Sequence, residues 1–313
     1  MDFLSTFLIV VLIVVLAVPG FVLRKVKLFG ERAAGVLAVL LLYVSQPSLM
    51  VSSLLSESFS ASMLVNFAWV FGFAIVLQLL VYFAAKLIFL RVGELPARRV
   101  CVAASYLGNV GFMGIPVMQM LFPEEGILVL YAVVFNIAFN AMAWTLGIYA
   151  VSGVRRAVRP LKILLNPPTV ATVIALPFFF CNVQMPSQIL TVFSYLGDMT
   201  LPLSMIILGV RLADVHLRSL FCDLKVYLAS GVKLVLSPLL SFGVLLLVDL
   251  VFPLDRFVII ALFVIAAMPT ASSVLNFAER YGGDTETAAC TTLMTTVLCI
   301  VTIPVLMLLC NFV

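Results

Sequence analysis

Ten apolar runs, each ended by charges or turn residues, limit what this chain can fold into more than any motif does. They lie at roughly 4–23, 31–54, 62–90, 97–122, 126–152, 167–181, 187–211, 222–249, 255–279 and 285–311. An α-helix rises 1.5 Å per residue, so about 20 apolar residues cross a hydrocarbon core of about 30 Å. The sixth run is short and opens on Asn166-Pro167-Pro168, a good helix start because proline's missing N–H costs nothing in the first turn. Hydrophobic residues make up 64% of the 313 and charged residues 10%. A soluble domain has no interior large enough for that, so the expected class is an all-α polytopic membrane protein. Met1-Asp2-Phe3 lacks the basic start of a signal peptide, and the first run is long and followed by Arg24, Lys25 and Lys27. It reads as a retained first span.

Charge placement supports the count of ten. Sixteen of the 18 Lys and Arg fall in or beside the loops after runs 1, 3, 5, 7 and 9. The opposite side carries Asp2, Glu57, Glu124, Glu125, Asp249 and Asp255, with Arg256 its single base. Basic loops stay in the cytoplasm, which predicts a multi-pass protein of the cell (plasma) membrane with both termini outside. The bases are spread over five loops, and no patch fits a nucleic acid.

The two halves resemble each other. Pro19, Pro47 and Pro116 in runs 1, 2 and 4 find counterparts in Pro177, Pro202 and Pro269 in runs 6, 7 and 9, at separations of 158, 155 and 153 residues. Pro238 and Pro304 have no counterpart, so the similarity is partial. A unit of five spans is odd, so its second copy enters the membrane upside down. Residues 1–153 and 167–313 are therefore expected to be inverted five-helix repeats, joined by a short cytoplasmic linker at 154–166.

Run 4 holds Gly108, Asn109, Gly111, Gly114, Ile115 and Pro116 at its centre. Glycine weakens a helix and proline removes a donor. A broken helix at membrane depth is tolerated where protein or water satisfies the freed groups, which points to a cavity. A packing kink is the alternative for this stretch alone. Pro116 stands about 12 Å of helix before Glu124, and Pro269 about 15 Å before Glu279, so both sit near the midplane. Two half-helices starting there from opposite sides would present unpaired N–H groups and partial positive charge, an anion site without arginine. Thr270, Ser272 and Ser273 add hydroxyls at the second break, and Asn109 adds an amide at the first. Capping of the broken ends is the other reading of these groups.

Asp198 and Lys233 fall deep in runs 7 and 8. Intramembrane ionisable residues are functional candidates. Asp198 is a candidate proton carrier. Lys233 is a candidate to offset substrate charge, to pair with Asp198, or to snorkel. Gln46 and Ser48 beside Pro47 either line the cavity or pack. The six cysteines are scattered without metal-ligand spacing, and the single histidine, His216, sits in a charged loop. No cofactor and no metal are expected.

Asn109-Val110-Gly111-Phe112-Met113-Gly114-Ile115-Pro116 resembles the first crossover of the auxin efflux carrier family. Ala266-Ala267-Met268-Pro269 with Phe277-Ala278-Glu279-Arg280-Tyr281 resembles the second, and Tyr195-Leu196-Gly197-Asp198 that family's seventh span. The resemblance covers essentially all ten runs. Gly108 stands where plant members have proline, and the central loop is short, so the likeness is to a prokaryotic-type member. It implies the ten-helix fold shared with bile acid–sodium symporters, in which broken helices 4 and 9 cross. Helices 3–5 and 8–10 would form a mobile transport domain, and helices 1, 2, 6 and 7 a scaffold that is often a homodimer. It implies an elevator-type secondary transporter of small organic anions such as carboxylates, with Asn109 on the substrate beside Pro116 and Pro269. Runs 4 and 9 carry no midplane carboxylate, which favours proton coupling or uniport over sodium. An anion channel is the alternative. An intramembrane hydrolase is a distant one, since no catalytic dyad, paired aspartates or His-Glu-x-x-His is present; the chain is not expected to be an enzyme.

Overall fold

The computed structural model describes residues 3–158, 165–215 and 223–312. Arg159, Lys162, His216, Arg218 and Cys222, with part of the 154–166 linker, lie outside them. Among the described residues the structure is nearly all helix, without a β-strand.

Among the described residues seven helices are long and apolar enough to cross a membrane: α1 (Phe3–Lys25), α2 (Ala33–Leu55), α3 (Met63–Arg91), α6 (Gly126–Ser152), α8 (Ser187–Asp214), α9 (Leu224–Asp249) and α12 (Thr285–Phe312). Runs 4 and 9 are not single helices. Run 4 divides into α4 (Leu95–Tyr106) and α5 (Val110–Leu121), and run 9 into α10 (Arg256–Ala266) and α11 (Ser273–Tyr281). Run 6 is the 14-residue α7 (Pro167–Phe180). Beyond its end Asn182 adopts φ +50°, and its amide holds both backbone groups of Phe59, accepting at 2.7 Å and donating at 3.0 Å.

Several ends follow from local chemistry. Asp255 accepts from the Phe257 N–H at 2.7 Å and Asp284 from that of Thr287 at 2.9 Å, N-caps for α10 and α12. Gly153 and Gly282 stop α6 and α11 at φ +70° and +77°, where a side chain would be strained.

Helices α1, α2, α7 and α8 pack together, as α1 on α8 and α2 on both α7 and α8. The α1–α8 contact is backbone on backbone. A Cβ on Gly20 would strike the Ile206 carbonyl, and one on Gly209 the Ala17 carbonyl. In hydrocarbon, where no hydrophobic effect drives helices together, such close van der Waals approach is a main source of adhesion. The other cluster joins α3 to α4 and α6, α9 to α10 and α12, α6 to α10, and α12 to α4. Most of these pairs recur when each run is exchanged for the one five places on, although the α1–α12 contact has no equal counterpart.

Candidate functional site

The two interrupted runs meet at their breaks. After α4 the chain extends through Leu107 to Asn109, and after α10 it leaves the helix from Ala267 to Ser272. Gly108 and Thr270 form an isolated antiparallel bridge. The Asn109 N–H donates to the Pro269 carbonyl at 2.7 Å, and the Ala271 N–H to the Leu107 carbonyl at 2.9 Å. Each break thus satisfies backbone groups of the other, as buried non-helical backbone must. Thr270 is spent on this join. Its hydroxyl donates to the Ala104 carbonyl at 2.9 Å, and its N–H donates to Thr295 Oγ1 at 3.1 Å.

The restart of run 4 differs from the expected one. The helix resumes at Val110, six residues before Pro116, as a π-turn over Val110–Gly114. Proline cannot donate to the carbonyl four residues back, and the wide turn accommodates this. The freed Phe112 carbonyl accepts instead from the Ser204 hydroxyl of α8 at 3.3 Å. Gly114, Ile115, Pro116 and Pro269 are buried and are not among the residues lining the adjoining cavity.

What lines the adjoining cavity, about 380 Å³, is the first turn of each restarted helix: Gly111 and Phe112 of α5, Ser272 and Ser273 of α11. The leading N–H groups of a helix have no intrahelical acceptor and carry partial positive charge. Asn109 lines the same cavity, and its side-chain amide makes no hydrogen bond among the described residues. The Ser273 hydroxyl is also unpartnered. Gln46 reaches in from α2 and comes so close to Gly111 that any side chain there would meet its amide. Of the expected contacts, Asn109, Gln46, Ser272 and Ser273 are brought together.

Lys233 and Asp198 are not. Lys233, 1% exposed, donates from Nζ to the Ala266 carbonyl at 2.9 Å, on the far side of Gly108 from the cavity. Asp198 is exposed, accepts from the Ser194 hydroxyl at 3.3 Å, and lines a different cavity of about 180 Å³ with Glu57, Ser53 and Gln119. Burial raises the pKa of Glu57, whose carboxylate sits in the loop after α2 against the start of α6. The proposed Asp198–Lys233 pair is absent. Depth along a helix was readable from the sequence, but not the direction each side chain takes.

Sequence reasoning missed the rim. Arg211 of α8 holds Glu279 of α11 at 2.8 Å and Asn276 at 3.0 Å, and all three line the larger cavity. Arg211 entered the sequence reading only as a loop charge. Asn140 and Asn166, joined at 3.0 Å, and Trp144 also line it. Asn136 and Asn140, one turn apart in an apolar run, were the available signal. Thr291, Thr292, Thr295 and Thr296 of α12 form a separate buried polar stripe, of which Thr295 takes the Thr270 N–H.

A membrane-spanning helical bundle that keeps a mostly apolar cavity, with a few polar groups and a cationic rim, against two helix starts has the build of a membrane transporter. The family model described as "Membrane transport protein" matches residues 5–160 and 155–307. The chain belongs to that family, the auxin efflux carriers. An uncharacterized transporter of Methanocaldococcus jannaschii is 26% identical over 300 residues, covering 92% of this chain and 93% of the relative. One of Methanothermobacter thermautotrophicus is 28% identical over 297 residues, covering 93% and 94%. A Rhizobium meliloti protein titled "Putative malonate transporter" is 28% identical over 209 residues, covering 64% of this chain and 63% of that one.

Proposed function

We propose that the chain is a secondary transporter of small organic anions, with malonate-sized carboxylates as the substrate class. The observation that carries this is the convergence of both restarted helices, Asn109 and the unpartnered Ser273 hydroxyl on one cavity. Its donors are neutral or belong to helix ends, apart from Arg211 and Arg280 at the rim. Such a site attracts a carboxylate through hydrogen bonds and the partial charge of helix ends, with no charged side chain needed in contact with it at depth. The relative titled as a malonate transporter supports the substrate class.

The mechanism that fits is alternating access of the elevator type. The near-exchange of packing partners between the halves supports inverted repeats of five helices, with the breaks of helices 4 and 9 at the midplane. In this reading α1, α2, α7 and α8 are the scaffold, through which two copies pair. The helices carrying the breaks move against them. The two cavities lie at opposite ends of α2 and α8, as access from two sides requires. The basic loops face the cytoplasm, so the larger cavity opens inward and both termini lie outside a plasma membrane. A cysteine introduced at Arg155 labelled from outside intact cells by an impermeant reagent contradicts this orientation.

Coupling is to protons, through Asp198 and Glu57 in the outer cavity. Burial raises the Glu57 pKa, so its carboxyl takes up a proton at milder acidity than a free one. Uptake of labelled carboxylates by proteoliposomes, with and without a proton gradient, tests the function. The parent should accumulate small carboxylates faster with the gradient, and Asp198→Asn should transport without that dependence. Unchanged proton dependence in Asp198→Asn returns the residue to a structural role. No uptake of any carboxylate removes the function.

A further inference from the structure

Lys233 lies in a π-turn of α9, and nothing yet described accounts for a buried cation there. A buried charge is costly unless matched, and among the described residues no carboxylate lines its surroundings. What it does face is the C-terminal end of α10. Ala266 is that helix's last residue, and the final carbonyls of a helix lack intrahelical donors and carry partial negative charge. Beside the amino group is a small, partly enclosed space of about 20 Å³, room for one water, lined by Gln78, Tyr106, Gly108, Ser237 and Ser241. Gln78 Oε1 and Tyr106 Oη are buried there without partners. Gly108 is what lets the ammonium approach the break, since a Cβ at that position would stand 3.2 Å from Nζ. The next residue, Asn109, faces the anion cavity. One strand of backbone therefore separates the Lys233 amino group from the cavity that Asn109 lines.

We propose that Lys233 is a tethered cation of the transport site: it holds the carbonyl end of α10 and balances the anion across the break. The inference rests on the anion-site reading above and adds the group that balances the charge. It is a positioning residue, because it touches backbone and not substrate. The geometry implies that removing the side chain leaves a socket for a small alkylammonium ion, bounded by the Ala266 carbonyl, Gln78 Oε1 and Tyr106 Oη.

Chemical rescue tests this on the purified full-length protein. Lys233→Met keeps the volume and removes the charge; Lys233→Ala opens the socket. Malonate binding is read from ligand-dependent thermal stability in each. Folded Lys233→Met should bind malonate about tenfold or more weakly. Lys233→Ala should be weakened likewise and regain most of its affinity with propylammonium chloride, but not with 1-propanol or tetramethylammonium. Propylammonium alone, without malonate, should stabilise Lys233→Ala saturably and leave the parent unchanged. If the parent binds malonate and folded Lys233→Met binds it equally well, the tethered-cation role is overturned while the anion site stands. If Lys233→Ala is weakened but propylammonium neither stabilises it nor restores binding, the side chain serves packing alone, which also overturns the role. If the parent binds no carboxylate, the functional reading fails, and with it this one.

Discussion

Asn109→Asp is expected to abolish carboxylate binding while leaving the protein folded. The side chain is buried at 6% exposure, lines the cavity, and makes no hydrogen bond within the described residues. Its backbone does the structural work, donating to Pro269 at 2.7 Å and accepting from the Gly114 N–H at 2.8 Å. Exchanging the amide for a carboxylate of the same shape disturbs none of that. A hydrogen bond to a charged group contributes about 1.5–3 kcal/mol, and about 1.4 kcal/mol is a factor of ten. Asn109→Ala should therefore weaken binding about tenfold or more. The aspartate adds repulsion: two like charges about 4 Å apart at an effective dielectric of about 20 interact by roughly 4 kcal/mol. Together these come to about 5.5 kcal/mol or more, roughly a ten-thousandfold loss. Trp144 in the cavity wall supplies a fluorescence readout once the second tryptophan, Trp69, is changed to phenylalanine. A packing role for Asn109 gives a different pattern, in which both variants lose folded protein together and the folded remainder binds normally.

Arg211→Glu should slow transport about tenfold or more, and adding Glu279→Arg should restore much of it. The pair is 2.8 Å apart with side chains 21% and 48% exposed, so its contribution to stability is small, about 0–1 kcal/mol. Its place matters more than its strength. It joins α8 to α11 at the rim of the cavity proposed to take the anion, between elements that must part if that cavity is to change sides. Arg211→Glu sets two carboxylates against each other and replaces the rim cation with an anion. The reversed pair restores both the link and a rim cation. Initial uptake rates in proteoliposomes distinguish the cases, and the penalty should shrink with salt as the Debye length falls below about 10 Å above 0.1 M. Uptake by the single Arg211→Glu variant at the parental rate would show that the pair neither gates nor guides.

The helices were legible because each apolar run is bounded by charge or proline; run 6 even announced its start at Asn166-Pro167-Pro168. Asn109, Ser272 and Ser273 were legible because polar residues interrupting an apolar run need a reason. The restart of the first broken helix was not. Proline marks where a donor is missing, and the sequence pattern placed the helix start there. The π-turn at Val110–Gly114 moves the start to Val110, and Ser204, 92 residues later, takes the freed carbonyl. Thr270 read as a ligand hydroxyl, yet its two polar groups bind Ala104 and Thr295, partners that only the fold brings near. Lys233 and Asp198 sit at plausible depths, but depth carries no information about the face a side chain takes, and they occupy different cavities.

The central claim is that a small carboxylate crosses the membrane by way of the cavity at the two helix restarts. Uptake of labelled malonate into proteoliposomes holding equal amounts of folded parent and folded Asn109→Asp tests it in one comparison. Saturable uptake by the parent, competed by other small dicarboxylates and lost in Asn109→Asp, is the predicted result. Equal uptake by the two proteins would place the path elsewhere and contradict the account.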